Sequence, residues 1–319
     1  MFFKIGKILT LALALGALVI AKTVHPSAFT ASKAVDVAAI SSASEKVKQV
    51  PAHATYPISV EGHKDKSTIH SDWASFAEGA AFVFKADMDT DCDGVNFKCD
   101  GNADGQPLTN WGALSAFEVP YIVIPQEFLD ANPTAISGNN VAAVICNNKM
   151  FYAILGDTNG NNRQVTGEAS WLLARSCFPE ENLSGNRGHD EIDVTYILFI
   201  GPEAVLPPSA INERYITDFG KLRSMGNHLT ASLMKNLSIK PLGGSGSSPP
   251  KDDGLHDGNN DDISTLPDVP QENGDGPNDN LGGAGPGSHD DDIDSAASDV
   301  AAPEIMALFV AVLVLVVCI

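Results

Sequence analysis

Between residues 52 and 207 the apolar residues gather in short runs, at 80–84, 119–124, 141–145, 150–155 and 196–200, with turn formers between them. Runs of that length, rich in Val, Ile, Phe and Tyr, read as strands buried on both faces. Asn147-Asn148 separates two of them and suits a tight hairpin, because Asn tolerates a positive φ. Helical spacing is confined to two places. Residues 168–177, entered from Gly167, form one candidate helix, and Ile211, Tyr215, Phe219 and Leu222 mark a second within a helical extension over 208–240. Residues 22–51, rich in Ala, Ser, Lys and Val without a period, read as a poorly ordered lead-in. The pattern predicts a mainly β fold with a few helices, α+β in class, in one domain over 52–240.

The two ends of the chain carry a different pattern. Lys4 and Lys7 precede an apolar stretch over 8–21, the layout of a signal peptide, with Val19 and Ala21 as the small residues before a cut after Ala21. Residues 305–319 are apolar with no basic residue beyond them. Small residues around Asp294 and Ser295 and a polar spacer precede them, as in a glycosylphosphatidylinositol signal attached at one of those two residues. This reading expects an extracellular protein held on the cell surface or wall, with the outer membrane leaflet as a partner. A single-pass spanning tail is the competing reading. The formal net charge is −20, but residues 241–304 hold fifteen acidic residues against one lysine, so the remainder carries only −6. That segment, rich in Gly, Ser, Pro, Asp and Asn, reads as a disordered acidic stalk. No basic stripe is present, which disfavours nucleic acid as a partner. Of five cysteines, Cys318 lies in the tail, leaving Cys92, Cys99, Cys146 and Cys177 to pair in an oxidising compartment. Three pairings are open; Cys92 with Cys99 and Cys146 with Cys177 is favoured, since each pair brackets a separate stretch. Asn182-Leu-Ser184 and Asn236-Leu-Ser238 are candidate N-glycosylation sites.

Three polar constellations lie within 87–193. The first runs Asp87-Met-Asp89-Thr-Asp91-Cys-Asp93-Gly94, with Asp100 following. Asp89, Asp91, Asp93, Gly94 and Asp100 stand at the spacing of an EF-hand calcium loop, although no helix flanks them and Asp replaces Glu at the last position. Calcium, a cationic substrate and a structural turn are all compatible with it. The second is Gly156-Asp157-Thr158-Asn159-Gly160, leading to Thr166-Gly167-Glu168-Ala169-Ser170. Asp157 at a strand end and Glu168 at a helix start could face one cleft and divide acid and base roles in glycosidic cleavage. The same residues would also serve as a turn cap and a favourable helix N-terminal charge. The third is Gly185-Asn186-Arg187-Gly188-His189-Asp190 with Asp193 nearby, where His189 could be a base, a ligand or a loop residue. No His-Glu-x-x-His zinc site, Gly-x-Ser-x-Gly elbow or nucleotide-binding glycine motif is present.

The succession DMDTDCDG (87–94), GDTNG (156–160), TGEAS (166–170), CFPEENLSGNRGHD (177–190) and YILFIG (196–201) resembles the fungal-type chitosanases of glycoside hydrolase family 75. The resemblance covers about 79–201. It implies a β-rich, disulfide-stapled barrel-like catalytic domain over 52–207, endo-acting cleavage of β-1,4 bonds in chitosan with inversion, and no required cofactor. It implies that Asp157 and Glu168 are the catalytic carboxylates. Asp91, Asp93, Asn159, His189 and Asp190 are the candidate substrate contacts. An Asp-rich cleft would attract the ammonium groups of chitosan. The alternative from another class is a non-catalytic, calcium-dependent carbohydrate-binding surface protein.

Overall fold

The computed structural model of the chain describes residues 24–59, 64–95, 97–103, 105–160 and 163–243. The expected signal segment 1–21, the stalk beyond 243, the attachment residues Asp294 and Ser295, the tail 305–319 and Cys318 lie outside the described residues.

Six strands close into a barrel: β3 (Ala81–Asp91), β4 (Tyr121–Pro125), β5 (Val141–Cys146), β6 (Lys149–Asn159), β7 (Glu168–Ser170) and β8 (His189–Phe199), in the order β3-β7-β4-β6-β5-β8. A two-stranded ribbon, β1 (Thr55–Pro57) with β2 (Lys66–Thr68), stands apart in pairing. The helices are α1 (Val37–Ser44), α2 (Gln126–Ala131), α3 (Trp171–Cys177) and α4 (Phe219–Asn236). This is the expected mainly β, α+β class with a barrel at its centre. All six residues of β5 are buried, as an uninterrupted apolar run requires when one side faces the barrel and the other faces a helix. That helix is α4, which packs on β5 and β6. Its Gly226 sits over the Tyr152 ring, where a Cβ would come within 2.4 Å of ring carbons. Asn147 and Asn148 both take positive φ, 46° and 56°, and close the β5–β6 hairpin as expected. Both expected disulfides are formed, Cys92–Cys99 and Cys146–Cys177, with Cα atoms 6.2 and 5.5 Å apart.

The structure corrects four expectations. Residues 24–51 are not a loose lead-in. Phe29 and Ile40 are fully buried, and the backbone of 29–31 pairs with β6, Tyr152 N–H donating to Phe29 O at 2.7 Å and Ala31 N–H to Met150 O at 3.0 Å. Residues 149–153 of β6 have β5 on one side only, so this segment covers an otherwise open strand edge. Asp36 caps α1 by accepting from Ala39 N–H at 2.9 Å. Second, the candidate helix over 168–177 begins only at Trp171. Glu168–Ser170 is strand β7, held between β3 and β4, and the Ser170 hydroxyl caps the helix by accepting from Leu173 N–H. Third, Ile211 and Tyr215 precede α4. The Asn212 side chain accepts from Arg214 and Tyr215 N–H, each at 2.8 Å, and this local turn displaces a helix there. Asp218 then caps α4 through Lys221 N–H at 2.8 Å. Fourth, β3, β6 and β8 run to 11 residues each, well past their apolar runs.

Candidate active site

Those strand extensions build the site. In the parallel β3–β7 pair Asp89 lies opposite Glu168; in the parallel β4–β6 pair Val123 lies opposite Asp157. The antiparallel β4–β7 pair sets Ile122 opposite Ala169, and continuing that register by one residue brings Val123 opposite Glu168. Asp89, Glu168, Val123 and Asp157 therefore stand in one row across four adjacent strands. Partners directly opposite one another project to the same side of a sheet. Ile122 and Ala169, one residue along, project to the other side and are fully buried. The register between β4 and β6 slips at Gly156, and this bulge turns Asp157 to the side of Val123 and Glu168. Two interstrand spacings separate the backbones of Asp157 and Glu168, about 9–10 Å.

All four residues line a cleft of about 1340 Å³. Nine carboxylates line it, against Arg187 as the single cation among its described residues. A second slip, between Ala86 and Met88, advances β3 by two residues while β8 passes from Val194 to His189. The extra β8 residues carry Asp190 and Glu191 to the cleft. Gly185 N–H donates to Asp100 O at 2.8 Å, joining the loop stapled by Cys92–Cys99 to the turn at 184–187, and Asn102, Gly185 and Asn186 face the cleft from this joint wall.

The two central carboxyls sit in different beds. Asp157 is 5% exposed, and its Oδ1 accepts from Asn110 N–H at 2.9 Å and from Thr158 N–H at 2.8 Å. Burial pushes its pKa up to about 7 against the pull of those two donors, with Asp93 adding to the rise. Glu168 Oε2 accepts from Asn159 Nδ2 at 2.9 Å. Burial raises the Glu168 pKa to about 7; the Asn159 amide opposes this, and Asp89, Asp157 and Asp93 add to it. Asp91, whose Oδ1 accepts from Asp93 N–H at 2.6 Å, is held well above the usual carboxylate range by burial and then by Glu168, Asp93 and Asp157. Asp87, two residues before Asp89 on β3, is 5% exposed, and its pKa rises to about 8, chiefly by burial and then by Asp89.

The structure thus brings together Asp157, Glu168, Asp89, Asp91, Asp93, Asn159 and Asp190, all cleft-lining. It does not bring His189 there. That ring is buried against Phe178, centroids 3.6 Å apart, with Nδ1 2.9 Å from Glu181 Oε1 and Nε2 3.0 Å from Asp193 Oδ1. Burial lowers its pKa, but the hydrogen bonds to Glu181 and Asp193 outweigh burial and raise it. His189 therefore anchors the 178–188 segment to β8, in place of the substrate contact expected of it. Asp100 is also displaced, facing a separate hollow on the outer side of the wall.

The same geometry does not support the calcium-loop reading. Asp89 and Asp91 belong to a strand, where residues two apart are separated by about 6.6 Å, whereas an EF-hand loop curls its alternate ligands around one ion. Gly94, at φ 101°, passes so close to Leu114 that a Cβ would lie 1.8 Å from Leu114 O, so close chain approach as well as backbone conformation accounts for a glycine there. Among the described residues no group of three or more Asp, Glu, His or Cys side chains is placed to hold a metal ion.

The sequence reading missed Asn110 and Gln126. Asn110 Nδ2 donates to Gln126 Oε1 at 3.0 Å and to Thr158 Oγ1, and its backbone holds Asp157. Nothing local marks Asn110, which lies 47 residues from Asp157.

The family model for the fungal chitosanases of glycosyl hydrolase group 75 matches residues 88–232. Endo-chitosanase B of Aspergillus oryzae is 38% identical over 199 residues, covering 51% of this chain and 80% of its own length. The chain belongs to the fungal chitosanases of glycosyl hydrolase group 75. An endo-chitosanase of Aspergillus fumigatus is 36% identical over 181 residues, 49% of this chain and 74% of its own length. Endo-chitosanase C of Aspergillus oryzae is 64% identical over 236 residues, which covers 69% of this chain but 62% of that relative, so the chain spans about six tenths of its length. In this member of the family both candidate glycosylation residues are exposed: Asn182 on the cleft rim, and Asn236 at the end of α4, its Nδ2 donating to Glu78 O at 2.8 Å.

Proposed function

We propose that this chain is an exported endo-chitosanase that cleaves β-1,4 bonds between glucosamine units with inversion, using Asp157 and Glu168 as its acid and base. The observation that carries the reading is the single row holding both carboxyls in an open cleft whose described residues include nine acidic side chains and one cation. A polymer bearing ammonium groups is attracted by that field, and neutral or anionic polymers are not. The named activity of the relatives, endo-chitosanase, supports the same substrate. Asp91, Asp93, Asn159 and Asp190 serve as substrate contacts or tune the pair.

The hydrogen bonds favour one division of roles. Two backbone N–H groups favour the ionised form of Asp157, which suits a base that activates water. Glu168 has one side-chain donor and three acidic neighbours raising its pKa, which suits the acid that protonates the leaving oxygen. A backbone separation of two strand spacings is compatible with the roughly 6.5–9.5 Å between carboxyl groups that an inverting enzyme needs to admit water. Azide separates the roles. It should rescue Asp157→Ala, giving the inverted glycosyl azide, and leave Glu168→Ala inactive; the opposite pattern would reverse the assignment. Binding of soluble chitosan without a fall in viscosity would sink the hydrolase reading. The terminal patterns support export and a lipid anchor, and removing residues 305–319 should release the protein into the medium.

A further inference from the structure

On the outer side of the wall formed by the disulfide loop and the 184–187 turn lies a second hollow of about 390 Å³. It shares Asn182, Asn186 and Arg187 with the acidic cleft, so the two are continuous over the rim. Their chemistry differs. Among the described residues the cleft carries nine carboxylates against one cation, whereas the hollow carries one of each, Asp100 and Arg187. Its floor is aromatic: Phe117 and Trp171, both partly exposed, lie with ring centroids 4.7 Å apart at 37°. The Arg175 guanidinium is 5.5 Å from the Trp171 centroid and adds positive charge beside the floor. The Cys92–Cys99 bridge, whose Cys99 lines the hollow, holds its wall in place, so little ordering is needed on binding.

We infer that this hollow is a distal subsite for an uncharged N-acetylglucosamine unit of the polymer whose glucosamine units occupy the acidic cleft. The inference rests on the chitosanase reading and adds selectivity for partly acetylated chains. Arg175 and Arg187 repel an ammonium group, while the aromatic floor accepts the apolar face of a sugar ring and an acetyl methyl. The acetamide offers one N–H donor and one carbonyl acceptor, which match the Asp100 carboxylate and the Arg187 guanidinium. Neither of those side chains takes part in an ion pair among the described residues.

Phe117→Ala and Asp100→Ala test the subsite, since neither residue lines the acidic cleft and the Asp100 side chain is exposed. On partly acetylated chitosan each should raise KM by about threefold to tenfold, the worth of one aromatic contact or one hydrogen bond, with kcat unchanged. On a fully deacetylated glucosamine oligomer both constants should match wild type. Calorimetric titration with an N-acetylglucosamine tetramer should show the same weakening without turnover. Equal losses on both substrates, no loss on either, or an Asn182 glycan seated on the two rings in the exported protein would overturn the subsite. Tetramer binding through Phe117 in a protein that leaves chitosan uncut would instead sink the hydrolase reading and keep the subsite.

Discussion

The three long strands each have an apolar half and a polar half. In β3, Ala81, Phe82, Val83 and Phe84 are buried and pair with Ile197–Phe199 and Tyr196 of β8, while Asp87, Asp89 and Asp91 follow on the same strand. In β6, 150–155 is buried beside β5, and Asp157 and Asn159 come after the bulge. In β8 the order is reversed, His189–Asp193 preceding the buried 194–199. One half of each strand packs the core, and the other, continuous with it in backbone hydrogen bonding, holds carboxylates at fixed height and side. Rigid pairing on both sides of β7 lets three residues position Glu168, a task a loop would perform less exactly in space. The cost of the polar halves is electrostatic: Asp87, Asp91, Asp157 and Glu168 all titrate above the ordinary range because they are withdrawn from water beside one another.

Changes in the two halves should therefore have separable effects. The largest is expected from Asp157→Asn and Glu168→Gln, each lowering kcat on chitosan by about 10²–10⁴-fold with an unchanged circular dichroism spectrum. Full activity in either variant would remove that residue from the mechanism. In the apolar half, Phe84 is 2% exposed and stacks on Tyr196 with centroids 4.8 Å apart. Phe84→Ala should cost about 3–5 kcal/mol of unfolding free energy while kcat, measured well below the melting transition, stays near wild type. A loss of kcat without a loss of stability would break the division between the halves.

Asp87→Asn should act in the opposite direction. The folded-state pKa of Asp87, about 8, lies above its unfolded value, so the folded protein binds the proton more tightly. Ionisation then subtracts stability progressively as pH rises above about 4, and the full cost is present only above the folded pKa. The variant should gain about 1–3 kcal/mol at pH 8.5, the worth of removing one poorly partnered buried charge, and match wild type near pH 3. A gain that is the same at both pH values would show that packing rather than charge is responsible.

The smallest effect is expected at Asn159. Its amide donates to Glu168 and favours the ionised form, so Asn159→Ala should raise the Glu168 pKa by up to about one unit, as loss of one hydrogen bond to a charged group implies. With Glu168 as acid, the alkaline limb of the kcat profile moves up and the acid limb stays. Movement of the acid limb alone would make Glu168 the base.

Much of this molecule is legible in the chain itself. Continuous apolar runs such as 141–145 and 150–155 specify buried strands because only burial on both faces rewards them, and Asn147-Asn148 specifies the turn between them. The spacing of the cysteines, the two acidic motifs and the family resemblance likewise precede any fold. Tertiary structure decided the rest. Residues 24–51 carry too little local pattern to predict order, and Phe29 becomes structural only because β6 leaves an edge open and Phe151 and Phe219 lie 5.6 and 6.2 Å from it. The Asp-rich stretch has the spacing of a calcium loop, yet pairing of Met88 with β8 and of 89–91 with β7 extends it as a strand to Asp91, since ladder hydrogen bonding outweighs a local preference for a turn. Asp157 and Glu168 meet on one side of the sheet because the Gly156 bulge shifts the register by one residue. A strand has a side-chain period of two, so a slip of one residue decides whether a carboxyl faces the core or the cleft. Gly156, inside the motif, permits the bulge, because a Cβ there would lie 2.6 Å from Tyr121 Cβ on β4, and pairing with that neighbouring strand makes the choice.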